Sequence, residues 1–340
     1  MNNVYLKSIC QFEECEEAGR EELSNYKERI LYEDISNDLE FLNSTSRRLS
    51  DIIFSTSTGV FIYISSIKKL IKILSGKYYG LTKWEDWWIA TRSNNKGHRD
   101  HLMNNRISDL IQFKLDHNYK IIEWKNIMFG IPGEVHQIDI YDKTLYIPHT
   151  DFNQVLTIDI DLLQKRKLPI SLKDDLIYSI EIQSNLSSHI NSIYINTESI
   201  YIVAHNFTMY TQKLSELIIL DKDLKQKEIS LAAHSAHNIV KIKEDIFYCD
   251  SNNKLLYKNK KSIFKGEKLL RGLSITDKEI YVGGSDICFE QRLRYAANPT
   301  IYGLDQMDYS LINEIEVKNI GDLYEIRQLN NIDYTLSRYS

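Results

Sequence analysis

A four-beat phrase of short apolar runs, returning again and again between turn residues, constrains this chain more than any other feature. From His136 the runs HQIDIYD, TLYIPHT, QVLTIDI and KRKLPIS follow one another. The phrase returns from His189 (HINSIYIN, SIYIVAH, ELIILDKD, KQKEISL), from His237 (HNIVKIKE, DIFYCDS, KLLYKN, KSIFKG) and from Arg271 (RGLSITDK, EIYVGGS, TIYGLDQ, LINEIEV). An earlier copy opens at Gly80 with GLTKWED, WWIATRS, DLIQFKL and KIIEWKN. Each run is rich in Ile, Tyr, Val, Leu or Phe and is bounded by Asn, Asp, Lys or Gly, the texture of short β-strands.

Repeated four-stranded units with the ~40–50-residue period of propeller blades predict an all-β fold, a six-bladed β-propeller over residues 49–340. The sixth blade joins the chain ends. DLYEIRQL supplies its innermost strand, and DIIFSTST, VFIYISS and KKLIKILS supply three outer ones. Such closure leaves no unpaired edge between first and last blades. A two-plus-two closure with NIDYTLS as second strand is the alternative. Residues 1–48 are Glu-rich with helical spacing in ECEEAGREELSNYKERILYEDI, so they are read as a short N-terminal helical extension, a surface for a protein partner.

Charge and composition narrow the function. A net charge of −5, with Lys and Arg scattered, offers no field for nucleic acid or an anionic membrane surface. No apolar run approaches the ~20 residues of a spanning helix, and the N-terminus lacks a signal-peptide core, so a cytoplasmic protein is expected. Four cysteines (Cys10, Cys15, Cys249, Cys288) at irregular spacing point to reduced thiols, with Cys10 and Cys15 as an alternative redox pair. The chain has no G-x-G-x-x-G after a strand, Walker loop, G-x-S-x-G elbow or H-E-x-x-H, which removes support from the chemistries those motifs carry.

Blade geometry gathers the histidines. The start of each innermost strand and the end of the second strand share one face of the disc. The starts are Gly80, His136, His189, His237, Arg271 and Asp322; the ends are Arg92, His149, His205, Asp250, Ser285 and Ser57. Five of the nine histidines thus fall at one mouth. His136, His189 and His237 can present nitrogens to a divalent transition metal (Fe, Mn, Cu or Zn), act as metal-free acid/base groups, or simply fill a polar channel. Arg271 and Arg92, with Arg292 and Arg294, suit a small anionic molecule, or pair with Asp250, Asp286 or Asp322. His149, His205 and Asp250 complete the ligand-binding candidates. His234 is either a loop base or a solvated residue. The long connections SNNKGHRDHLMNNRIS and DICFEQRLRYAANP can cover the mouth, the first with His98 and His101. Trp84, Trp87 and Trp88 are read as packing between blades.

The phrases VHQIDIYDKTLYIPHTDFNQVLTID, SHINSIYI, SAHNIVKIKEDIFYCDSNNKLLY and LRGLSITDKEIYVGGSD resemble successive blades of a bacterial propeller family of unknown function. Blade openings in that family read like H-D or H-Q-I, C-H-L-N-G, S-P-H-S and T-R-G-L. DIIFSTSTGVFIYISS and GLTKWEDWWIATRS resemble its first blades, and the likeness spans roughly 50 to 330. It implies that His136, His189, His237 and Arg271 belong to a common channel, whereas His149 and His205 depart from the family's small or Asn-like second-strand ends. The resulting expectation is a small-molecule enzyme of lyase, isomerase or oxygenase type acting on an anionic substrate, with metal at the axis in one version. A non-catalytic ligand- or protein-binding propeller is the rival.

Overall fold

A computed structural model describes residues 30–44, 50–95, 106–166, 169–183, 189–207, 211–231, 233–286 and 291–337. Six antiparallel sheets form the blades. Blade 1 runs Lys77–Trp84, Trp87–Asn95, Arg106–Leu115 and Ile121–Pro132; blade 2 runs Asp139–Tyr141, Thr144–His149, Gln154–Asp159 and Ile177–Glu181. Blade 3 comprises Ile190–Ile195, Ser199–Ala204, Glu216–Asp221 and Gln226–Ser230, and blade 4 Ala236–Ile242, Asp245–Asp250, Leu255–Lys258 and Lys261–Lys265. Blade 5 contains Leu269–Ile275, Glu279–Ser285, Thr300–Asp305 and Leu311–Val317. In blade 6 the C-terminal Leu323–Gln328 pairs with Ile52–Thr56, which continues to Gly59–Ile64 and Lys69–Ser75.

The one-plus-three closure is therefore the one adopted. Residues of NIDYTLS form no second strand; they cross the far end of the channel, where Asp333 accepts from Ser274 Oγ (2.7 Å) and Gln328 N (2.9 Å). Ser337 N donates to Asp139 at 2.8 Å, and its hydroxyl receives Ile195 N at 2.8 Å. These bonds tie the tail to blades 2, 3, 5 and 6.

Two expectations are corrected. Within the segment read as a helical extension, Ile30–Asp34 is a fifth strand on blade 6 and Leu39–Ser44 a fifth strand on blade 5. Hydrophobic pairing to existing edges outweighs local helical spacing here, with Phe41, Leu39 and Ile35 packing on the core of those two blades. Residues 1–29, which carry the rest of that reading together with Cys10 and Cys15, lie outside the described residues. In blade 2 the outermost strand is Ile177–Glu181 rather than KRKLPIS; a short helix, Ile160–Lys165, intervenes, and Ile170 bridges Met128 of blade 1.

Apolar side chains pack between blades. Val203, Val240, Phe247, Leu273 and Val282 share one cluster across blades 3, 4 and 5. Trp88 lies in the core beside Ile62 of blade 6 and Ile111, and Trp84 packs on the cluster between blades 1 and 2, as expected of them. A hydroxyl then staples each blade to the next: Thr91 to Val135 O (2.9 Å), Thr150 to Ile190 O (2.8 Å), Ser215 from Ala236 N (2.9 Å), Ser251 to Leu270 O (2.7 Å), Ser285 from Leu323 N (2.8 Å), and Ser55 to Tyr79 O. Among the described residues no helix is long and apolar enough to cross a membrane.

Candidate functional site

Strand alternation alone would send every second side chain into the channel. Register shifts interrupt it in the innermost strands of blades 1, 3, 4, 5 and 6, between Tyr78 and Leu81, Ile190 and Ser192, His237 and Val240, Arg271 and Leu273, and Leu323 and Glu325. A bulge re-aims side chains. The result is an upper tier with one side chain from each blade: Tyr79, His136, Asn191, His237, Arg271 and Tyr324. The next residue of each strand forms a lower tier, Gln137, Ser192, Asn238 and Glu325 with Gly80 and Gly272. Both glycines are forced by crowding: a Cβ at Gly80 would meet His136 O at 2.2 Å, and one at Gly272 (φ 77°) would meet Leu323 Cδ2 at 2.7 Å.

The lower tier is a belt of hydrogen bonds. Asn238 donates its side-chain amide to Glu325 Oε1 (3.1 Å) and accepts from Gly272 N (2.8 Å), while Ser192 Oγ accepts from Asn238 N (2.9 Å). Burial pushes Glu325 up to about 7, against the pull of Arg327, whose Nη1 stands 2.7 Å away. Between the tiers lies a cavity of about 10 Å³, room for one water-sized group.

The upper tier is differently equipped. His136 Nε2, Arg271 Nε and Tyr324 Oη are buried and have no hydrogen-bond partner. Burial, and then the fields of His189 and Arg271, hold His136 well below the ordinary histidine range. His237 and His205 are likewise lowered, first by burial, with Arg271 contributing to both. Burial raises the Tyr324 hydroxyl, so it stays a donor. His237 Nδ1 lies 2.9 Å from the Ser235 carbonyl, which can only accept, so this nitrogen carries the proton and Nε2 the lone pair. In His205 the assignment reverses, because Nδ1 accepts from Phe207 N at 3.1 Å.

The expected residues divide. His189 precedes the strand at φ 47° and sits near the rim, two residues ahead of Asn191, which holds the tier position in that blade. Ring centroids nevertheless link His136 to His189 (5.6 Å), His189 to His205 (5.3 Å), His205 to His237 (5.2 Å) and His237 back to His136 (6.3 Å). Phe207 closes this rim against His189 at 4.3 Å. Lys77 pairs with Glu134 (2.7 Å) beside Tyr79, and Arg294 faces Asp322 at 3.6 Å. Burial raises Asp322 to about 6, opposed by Arg294 and Arg271.

Three ligand candidates take other places. His149 is buried in the seam between blades 1 and 2, its Nε2 donating to Pro132 O at 3.0 Å and its ring against Phe152 at 4.6 Å. Arg92 is buried within blade 1 and feels Asp109, its strand neighbour; burial pulls it down to about 10. Asp250 holds a turn, accepting from Asn253 N (3.2 Å) and Nδ2 (2.8 Å). Position at a strand end decides none of these, since the side chain can turn into a blade seam instead of the mouth. His234 is exposed, Cys249 is a buried free thiol, and His98, His101 and Cys288 lie outside the described residues. Tyr79 and Tyr324, members of the tier, were missed; the aromatic residue before Gly80 and the one after Leu323 were the available signal.

Metal ligation by His136, His189 and His237 requires three nitrogens about 2.0–2.1 Å from one point. Among the described residues, no group of three His, Cys, Asp or Glu side chains is placed to hold an ion. One nitrogen of His237 is already committed to Ser235 and Ser251.

No protein-family model and no curated protein matches the chain. Among solved structures it is similar to a chain of the nidogen/laminin complex, with TM-score 0.58 and 8% identity over 85% of this chain and 100% of that one. It is also similar to a quinonprotein alcohol dehydrogenase-like protein from Bacteroides thetaiotaomicron (TM-score 0.44, 13% identity, 88% and 68% covered) and to luciferin-regenerating enzyme (0.48, 10%, 72% and 77%). The first likeness supports the propeller fold alone.

Proposed function

We propose that the upper tier binds a small anionic molecule and that the histidines around Arg271 serve it as metal-free acid/base groups. The reading rests on one observation: His136 Nε2, Arg271 Nε and Tyr324 Oη, three buried polar atoms without partners, belong to residues lining one cavity. Buried polar atoms are nearly always satisfied. An anionic oxygen accepts from a guanidinium and a phenol at once, through charge-assisted bonds.

The electrostatics agree. His136, His205 and His237, all lowered, surround a charged arginine, and the further charges around it come as the pairs Lys77–Glu134 and Arg294–Asp322, so the free site keeps one net positive charge. An anion beside Arg271 removes part of the field that lowers His136, His205 and His237, which favours proton uptake on binding. His237, with Nε2 bare, is the acceptor for a proton leaving the ligand. The likeness of the blade openings to the bacterial family belongs to this reading and brings no activity with it.

Thermal unfolding in the presence of acetate, phosphate and sulfate tests it, because an anion that binds only the folded state raises the Tm. At least one should do so in the wild type. Arg271→Met should weaken that effect by about 10- to 100-fold in concentration, the loss of a charged hydrogen bond, with Arg271→Lys in between. A Tm response unchanged in Arg271→Met would sink the proposal.

A further inference from the structure

His237, Arg271 and Tyr324 occupy consecutive blades, so they form one arc of the upper tier. Their hydrogen-bonding capacities differ. Arg271 Nε and Tyr324 Oη are donors. His237 Nε2 is an acceptor, because Nδ1 has its proton fixed by Ser235 O. An ionised oxygen that satisfied the first two would set lone pair against lone pair at the third. The occupant of this arc therefore carries an O–H or N–H next to its anionic group.

Charge then limits the choice. Around the tier, Lys77 is matched by Glu134 at 2.7 Å and Arg294 by Asp322 at 3.6 Å, which leaves the charge of Arg271 to be met. A single positive charge suits a monoanion such as a carboxylate over a phosphate dianion. An ammonium as the donor to His237 would bring a second positive charge beside Arg271 and would need a carboxylate to meet it. A hydroxyl needs none. The cavity of about 10 Å³ admits one oxygen of the end group of a molecule, with the remainder among His189, His205 and Phe207 at the rim.

We infer that the site takes a 2-hydroxycarboxylate, its carboxylate on Arg271 Nε and Tyr324 Oη and its hydroxyl donated to His237 Nε2. This rests on the anion-site reading above and adds the ligand class.

Titration calorimetry with propionate, both enantiomers of lactate, 3-hydroxypropionate and L-alanine separates the two statements. One lactate enantiomer should bind the wild type about 3- to 10-fold more tightly than propionate, the worth of one good hydrogen bond. 3-Hydroxypropionate and alanine should show no such gain. In His237→Phe the lactate advantage, read as the ratio of lactate to propionate affinity within that variant, should vanish. Equal binding of lactate and propionate by the wild type overturns the ligand class while leaving an anion site, and needs no variant. If none of the five binds, the anion reading falls with it.

Discussion

The Ser251 hydroxyl stands 2.8 Å from Nδ1 of His237 and 2.7 Å from the carbonyl of Leu270, the residue before Arg271. One small side chain thus supports the tautomer that the Ser235 carbonyl sets in a candidate base, staples blade 4 to blade 5 and positions the strand that carries the candidate anion clamp. Orienting groups of this kind govern what a histidine can do.

Ser251→Ala is expected to lower stability by about 1–3 kcal/mol, since the Leu270 carbonyl loses its partner, and to weaken binding of a small carboxylate as well. Ser251→Thr keeps a hydroxyl at the site and should restore both. Chemical denaturation beside calorimetry checks the pair of effects; a stability loss with intact binding would show that the staple does not orient His237.

Gly80→Ala places a methyl group 2.2 Å from His136 O and 3.0 Å from Ile138 N. Backbone on backbone cannot yield as a flexible side chain does. A loss of about 1–3 kcal/mol is expected in urea titration, with weakened anion binding because the strand carrying His136 must shift.

His149 is buried and neutral, and burial lowers it to about 4, with the bond to Pro132 O opposing. In the unfolded chain its ordinary value is about 6.5, so between those values the unfolded state binds more protons. Its contribution is therefore fully present above pH ~6.5, declines as the pH falls towards ~4, and amounts to at most about 3 kcal/mol. His136, His205 and His237 act with the same sign. Stability measured from pH 7 to 4 should fall less steeply in His149→Gln than in the wild type; parallel curves would contradict the assignment.

Asp333→Ala removes the acceptor for Ser274 Oγ, Gln328 N and Thr335 N, at 2.7, 2.9 and 3.0 Å. Loosening of the tail should release Ile195 N from Ser337. Hydrogen exchange at the Ile195 and Gln328 amides is expected to accelerate by at least tenfold, while amides of the blade 4 strands stay protected.

Blade number and chain closure were legible because each run kept its apolar character and its turn residues. The two fifth strands were not, since Ile30–Asp34 and Leu39–Ser44 are short, follow a Glu-rich stretch and gain their register only from the edges they meet. Within the site, His136, His237 and Arg271 could be placed from the blade openings. The blade opening makes His189 the apparent equivalent of His136, but Asn191 holds that position, and likewise Tyr79 and Tyr324 stand where the openings point to Gly80 and Asp322. Register shifts in the inner strands cause all three displacements, and pairing across a bulge leaves no mark in alternation. The tail across the far mouth carries no periodic pattern, so only its bonds reveal it.

An anomalous difference map from a crystal soaked in sodium bromide tests the anion site most directly. The expected result is a bromide in the cavity between the tiers, in contact with Arg271 Nε and Tyr324 Oη, and absent from Arg271→Met. Bromide bound elsewhere on the protein, with only water in contact with Arg271 Nε, would contradict the assignment.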